Sequence, residues 1–349
     1  MRSTSRRLCW LLGEGFEQRD GQLTSIWASA RYRALPAIRG MVKDGHAVEA
    51  LIQSQIADVD ALKQVWKPCD ALIISKVYYD RVMPIVHFVQ AQGTTIIGDF
   101  CDDHFDTPRY QEGFHALLHA VDYVVCSTQA MSECIRQRAG RCATVINDPF
   151  EAPEAPPAFH GTDDRVRLLW FGHATNIATI DALLPRLVEF GQRVPLSLEI
   201  VTNTDEVDVA GVCERMNGKF GHALKMTCSN WSLATQWEPF SRCDLVVIPS
   251  MGDSRWQVKS PNRAVESLRC GRFVVSNPIP SYAPLTPFTW QGENIVEGIE
   301  WAIAHPRHVL ARIREGQEFV AREFVPARIV EQWKNCIDAA VDGRLRLVE

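Results

Sequence analysis

Short, almost uninterrupted apolar runs alternate along this chain with longer stretches in which apolar residues recur every three or four positions. The runs lie at 8–12, 47–52, 71–75, 94–98, 123–126 and 143–146, with amphipathic stretches at 23–43, 82–92, 111–120 and 128–138 between them. A strand is apolar throughout when both faces of a parallel sheet are covered, whereas recurrence at three and four marks a helix. The alternation predicts a doubly wound α/β domain over residues 1–150. Pro149, Pro153, Pro156 and Pro157 then interrupt it, since proline suits neither a helix interior nor a central strand, and a linker is expected at 151–162. The pattern restarts with runs at 166–171, 196–201, 223–227, 245–248 and 273–276, predicting a second α/β domain over 163–323. From about 292 to 341 the pattern is helical throughout, and 324–349 is expected to form a terminal helix.

The length of 349 residues is enough for two such cores. With 37 basic and 42 acidic residues the net charge is -5, which gives no global electrostatic reason to seek nucleic acid or an anionic membrane. The eleven cysteines include no C-x-x-C pair, and the eight-residue gaps between Cys126, Cys134 and Cys142 match no zinc-ligand spacing. Reduced thiols in a cytoplasmic protein are expected. The apolar run that follows the basic N-terminus is too short for a signal-peptide core, and none approaches the ~20 residues a membrane span needs. Peripheral membrane contact stays open.

Gly13 and Gly15 follow the first strand, but position 18 is Gln, so a dinucleotide fingerprint is not completed. The two glycines either admit a ligand to the strand's carboxyl end or make an ordinary turn. In the second domain a strand ends at Pro249-Ser250, and after a loop a helix is expected with Ser260 as cap and Pro261 at its first position. Cys270-Gly271 closes it. Lys259 and Arg263 flank that helix start, where free N–H groups and the helix dipole favour a phosphate or diphosphate. Asn262 and Glu266 lie four apart on one face, which places Glu266 to accept hydrogen bonds from a ribose diol. In the first domain the run from Asp99 to Asp106 follows a strand directly and carries four carboxylates and one imidazole. Asp102 and His104 are the candidates for a general base or acceptor contact, the alternative being an acid-enriched helix start. Lys76, Arg31 and Arg33 join Gly13 and Gly15 as acceptor candidates. His115 and His119 share a helix face without the glutamate of a metalloprotease, and no nucleophile elbow or Walker loop is present. No metal is expected.

The stretch from Asp244 to Ser276 resembles the donor-binding region of GT-B glycosyltransferases, in particular the retaining family 4 group. The run 168–176, with Gly172, His173 and Asn176, is similar to that family's first strand and glycine loop in the C-terminal domain. The segment beginning at Trp231 is similar to the helix before its Pro-Ser strand, and residues 29–33 and 44–48 to its opening. The resemblance implies two Rossmann-like domains facing a central cleft, with C-terminal crossover helices returning to the first. It implies transfer of a sugar from a nucleotide-diphosphate sugar with retention, to a glycan, lipid or small-molecule acceptor, without a required cofactor. Gly172, His173, Asn176, Ser260 and Asn262 become donor contacts, and Trp231 a nucleobase platform or a core tryptophan. Two departures stand out. The first glutamate of the family's E-x7-E falls on Val258, and the basic pair after the first strand of the C-terminal domain is replaced by the run 173–176. An epimerase or hydrolase on the same fold, or a binding protein without turnover, is compatible with the same residues.

Overall fold

The computed structural model describes residues 5–343 except 14, 20–21, 57, 80–81, 161–163 and 207. The chain forms two compact units. One comprises Met1–Pro149, Gln257–Ser260 and Phe324–Glu349, and the other Phe150–Trp256 and Pro261–Glu323.

In the first unit β1 (Arg7–Leu12) is followed by a hairpin, β2 (Glu17–Arg19) and β3 (Gln22–Thr24), that the sequence pattern does not reveal. Then come β4 (Ala47–Ile52), β5 (Ala71–Ser75), β6 (Thr95–Phe100), β7 (Tyr123–Cys126) and β8 (Thr144–Val145). The six sheet strands run parallel in the order β4-β1-β5-β6-β7-β8. Alternate residues of each strand enter different cores: Leu11, Ile74 and Phe100 join the core that holds Phe114, whereas Trp10, Ile73 and Ile97 join the one that holds Trp333. Both faces are therefore covered, which is why the strands are apolar throughout. Strand order reverses between β1 and β5. In open α/β sheets the crevice for ligands lies at the carboxyl ends of the strands on either side of such a reversal.

The amphipathic stretch at 23–43 is less regular than its pattern. Ala30–Ala34 forms a wide π-turn, with Leu35 N–H bonded to the Ala30 carbonyl, before the α-helix Leu35–Lys43. Pro36 explains the widening, because it has no N–H to donate to Tyr32. The terminal helix Pro326–Val341 lays Trp333 against Trp10, ring centroids 5.1 Å apart at 66°.

The second unit contains β9 (Val166–Phe171), β10 (Leu196–Thr202), β11 (Leu224–Asn230), β12 (Leu245–Ile248), β13 (Phe273–Ser276) and the short β14 (Trp290–Gln291). Their order is β11-β10-β9-β12-β13-β14, all parallel, and the reversal falls between β9 and β12. The helical region divides into Ile295–Ala304, Pro306–Glu323 and Pro326–Val341, two of which begin with proline, where its missing N–H costs nothing.

The Pro-rich segment is strapped to the second unit. Ala155 N–H donates to the Arg269 carbonyl (3.1 Å), Ala158 N–H to that of Gly271 (3.0 Å), and the Gln317 amide to that of Ala155 (2.7 Å). Gly271 has φ +69°, and a Cβ there would lie 2.3 Å from the Pro156 carbonyl oxygen, so both conformation and space demand glycine. All eleven cysteines are unbridged. Among the described residues no helix is long and apolar enough to cross a membrane.

Candidate functional site

At the first unit's reversal, the ends of β1 and β5 approach so closely that Gly13 N–H donates to the Ser75 carbonyl at 3.0 Å. A Cβ on Gly13 would lie 2.1 Å from the Lys76 carbonyl oxygen, so packing between the strand ends is sufficient to require this glycine. Lys76 itself has φ +57°, the one positive φ outside glycine among the described residues. A small pocket opens here, lined by Gly13, Ser29, Arg33, Lys76, Asp99 and Cys101 among others.

A buried charge network forms one wall of that pocket. Arg33 is 2% exposed and donates from Nη2 to Asp99 (2.6 Å), which is wholly buried, and from Nη1 to Asp148 (3.0 Å) and to the Ile146 carbonyl. The Ser75 hydroxyl donates to Asp99 (3.0 Å) and receives the Trp10 indole N–H (3.0 Å). Burial opposes the guanidinium charge, but the two carboxylates outweigh it and raise the Arg33 pKa.

Above this network two ammonium groups converge on one carboxylate. Lys76 Nζ lies 2.8 Å from Asp102 Oδ2, and Lys259 Nζ lies 2.9 Å from Oδ1. Burial alone would raise the Asp102 pKa; Lys259 and Lys76 overcome it and hold the carboxyl well below its usual range. A carboxylate so stabilised is a poor proton acceptor. His104 is different: half-buried, its pKa is depressed first by burial, with Lys76 and Lys259 adding to this against Asp102. Its Nδ1 is 3.2 Å from the Thr107 hydroxyl, and its ring packs on Tyr110 and Tyr78, at 4.9 and 5.3 Å between centroids. A neutral imidazole near pH 7 is the better base of the two.

In the second unit the helix that leads into β13 spans Asn262–Arg269. It begins one residue later than expected, with Pro261 as cap in place of Ser260, because the Pro261 carbonyl accepts the first helical bonds from Ala264 (2.9 Å) and Val265 (3.0 Å). Arg263 reaches across to the end of β9, where Nη1 donates to the Phe171 carbonyl at 3.4 Å. A Cβ added to Gly172 would stand 3.6 Å from that nitrogen. His173 Nδ1 accepts the Thr175 N–H (3.3 Å), and Asn176 precedes the helix Ile177–Asp181, its carbonyl accepting the Thr179 hydroxyl (2.8 Å). Arg263 thus reaches the end of β9 at the reversal between β9 and β12, where the chain continues through Gly172 into His173. Glu266, only 1% exposed, accepts N–H bonds from Glu151 and Ala152, both 2.8 Å. Asn262, half-buried, opens the helix one turn before it.

Other expected residues lie elsewhere. Lys259 and Ser260 belong to the first unit, together with Val258, which is buried in that unit's core and whose carbonyl accepts the Thr128 hydroxyl at 3.1 Å. Arg31 is committed to the carbonyls of Ile26 (2.9 Å) and Ser25 (3.4 Å), and the Gly15 carbonyl accepts the Ser25 hydroxyl (2.6 Å). Half-buried Trp231 follows β11, two strands from β9. The sequence reading did not single out Asp148, Tyr79 or Tyr110. Asp99 carried the one usable signal, a carboxylate inside an apolar strand, which requires a buried partner.

No known protein-family profile matches the chain, nor does any curated protein sequence. Solved structures do match in shape. HepE of Anabaena in complex with UDP-glucose superposes with a TM-score of 0.70 at 13% identity, over 96% of this chain and 100% of that one. A glycosyltransferase from Rickettsia africae gives 0.71 at 7% identity, over 97% and 99%. TarM gives 0.62 at 14%, over 80% of this chain and 57% of its own. Two parallel six-stranded sheets matched over nearly the full chain establish that this protein has the GT-B glycosyltransferase fold.

Proposed function

We propose that the protein is a glycosyltransferase that moves a sugar from a nucleotide-diphosphate sugar to an acceptor. The observation that carries this reading is the approach of Arg263 to the end of β9 at Phe171 and Gly172, at the strand reversal of the second unit and beside the start of the helix Asn262–Arg269. A helix N-terminus and a guanidinium together suit the donor's diphosphate. Carboxylate oxygens accept more than one hydrogen bond, and Glu266, held by two backbone amides, takes the ribose hydroxyls. Catalysis then comes from positioning and from stabilising the diphosphate as negative charge develops on it. The first unit's reversal, with Lys76, Asp102 and His104, takes the acceptor, His104 receiving its proton. HepE crystallised with UDP-glucose makes a UDP-sugar the first donor to test. Retention of anomeric configuration is the outcome proposed by family resemblance.

Thermal shift with UDP-, GDP-, ADP- and dTDP-sugars tests donor binding, since a ligand of the native state raises the melting temperature. Incubation of the stabilising donor with acceptor pools follows. A glycosylated product supports transfer, and its anomeric configuration decides retention. Free sugar or an epimer alone would assign an epimerase or hydrolase, and binding without turnover a binding protein.

A further inference from the structure

We infer that the acceptor carries an anionic group, a phosphate or phosphate ester, received by Lys76 and Lys259 at the carboxyl end of β5. The inference rests on the acceptor reading above. The ammonium groups of Lys76 and Lys259 converge on one carboxylate, Asp102, at 2.8 and 2.9 Å, which brings two cations within reach of one incoming anion. Lys76 is 27% and Lys259 40% exposed, so an incoming anion reaches both without opening the core. Asp102 keeps the ammoniums close together, and an anion bridging them takes up the same geometry.

The backbone supports the same placement. Lys76 adopts the left-handed conformation, which a side chain other than Gly, Asn or Asp rarely does, and Gly13 packs against its carbonyl to hold it there. Strain of this kind persists where the surroundings over-determine it, and it collects at functional sites. Lys259 is fixed independently: its neighbour Val258 is buried in the core and accepts the Thr128 hydroxyl. Next to the lysines, the half-buried Tyr110 meets His104 on one side and Tyr79 on the other, at 4.9 and 5.5 Å. Arg109 lies over both tyrosine rings, at 5.6 and 5.4 Å. An aromatic face beside paired cations suits a sugar or other ring that bears the phosphate.

The test is equilibrium binding to the full-length protein, with glucose and glucose 6-phosphate as soluble probes. Phosphatidylcholine vesicles, with and without phosphatidate, serve as the lipid probe. Expected is binding of glucose 6-phosphate about tenfold tighter than glucose, reduced about five- to tenfold in Lys259→Met and in Lys76→Asn, a residue that tolerates the left-handed backbone. Asp102→Asn removes the competing carboxylate and tightens anion binding. Capture by phosphatidate vesicles with no binding of glucose 6-phosphate, lost in the same lysine variants, places the phosphate on a lipid headgroup and supports the inference equally. Equal affinity for neutral and phosphorylated probes in both formats overturns it, as does anion binding unmoved in folded lysine variants. Competition between UDP and glucose 6-phosphate, with UDP weakened equally in Lys259→Met, would assign the lysines to the donor and also overturn it. UDP binding that depends on Arg263 but not on Lys76 or Lys259 separates the two sites. Its absence while glucose 6-phosphate still binds would sink the donor reading alone.

Discussion

Replacing Glu266 separates its structural contribution from its proposed contact with ribose. The carboxylate accepts two backbone N–H groups, from Glu151 and Ala152, and Ala152 is itself buried. In Glu266→Ala both donors lose their acceptor, at a cost of about 1–3 kcal/mol for a buried group and less for the partly exposed Glu151 amide. The sum is about 2–4 kcal/mol. For units of this size each kcal/mol shifts the melting temperature by about 2–4 °C, so a fall of roughly 4–16 °C is expected by scanning fluorimetry. Glu266→Gln keeps one acceptor oxygen toward the strap and turns an amide toward the other N–H, so its fall is smaller. If Glu266 also holds the ribose, Glu266→Gln binds UDP about five- to tenfold more weakly by calorimetry while remaining folded. A melting temperature of Glu266→Ala within about a degree of wild type would refute the strap argument. UDP affinity unchanged in Glu266→Gln would refute the ribose assignment.

The Arg33–Asp99 pair is expected to be coupled: Arg33→Met leaves the buried Asp99 and Asp148 without their cation and costs about 3–5 kcal/mol in urea unfolding, Asp99→Asn costs less because Asp148 still pairs with Arg33, and the double variant loses less than the sum. Additive losses would show that the pair is not the unit its geometry describes. His104 sets a pH dependence. Burial lowers its folded pKa below the ordinary ~6.5, so between those two values the unfolded chain binds more protons and stability rises with pH. Stability is therefore expected to be level with respect to this group above about pH 6.5 and to fall as the pH drops through the folded pKa. A His104→Gln variant should lose that part of the slope in melting temperature against pH; an unchanged slope counts against the assignment.

Much of the fold was legible because burial on both sheet faces imposes unbroken apolar runs, and strands such as β4, β5, β7 and β12 fall where those runs do. The hairpin β2–β3 and the two-residue β14 escaped because so few residues carry no period, and the π-turn because Pro36 alone signals it. The Pro-rich segment was legible as non-helical and non-strand, but its attachment was not. Proline content marks the lack of internal hydrogen bonds, and only the distant Glu266, Arg269, Gly271 and Gln317 supply the external ones. The residue types at the candidate site were legible as well, since charge at the carboxyl end of a buried strand has few structural reasons. Which charges meet was not. Lys259 stands next to a helix of the second unit in sequence yet pairs with Asp102, 157 positions away, because Val258 is drawn into the first unit's core. Val258 and the lysine that follows it are thus parts of one local arrangement.

That arrangement also decides how the two acidic-run candidates divide their work. Asp102 and His104 lie two residues apart and feel the same pair of lysines, yet the effect on each is opposite in kind. For Asp102 the lysines stabilise the charged form and remove its capacity to take a proton near neutrality. For His104 burial is the largest cause of the lowered pKa, and the lysines add to it against Asp102 and Asp103, so the imidazole stays neutral and keeps a lone pair to offer. The lysines therefore hold the carboxylate as a fixed counter-charge, whereas burial is the main reason the imidazole stays neutral. A ligand phosphate docking on Lys76 and Lys259 would partly cancel their field and raise the basicity of His104 at the moment the acceptor is bound. In this way the same lysines would link acceptor recognition to its deprotonation.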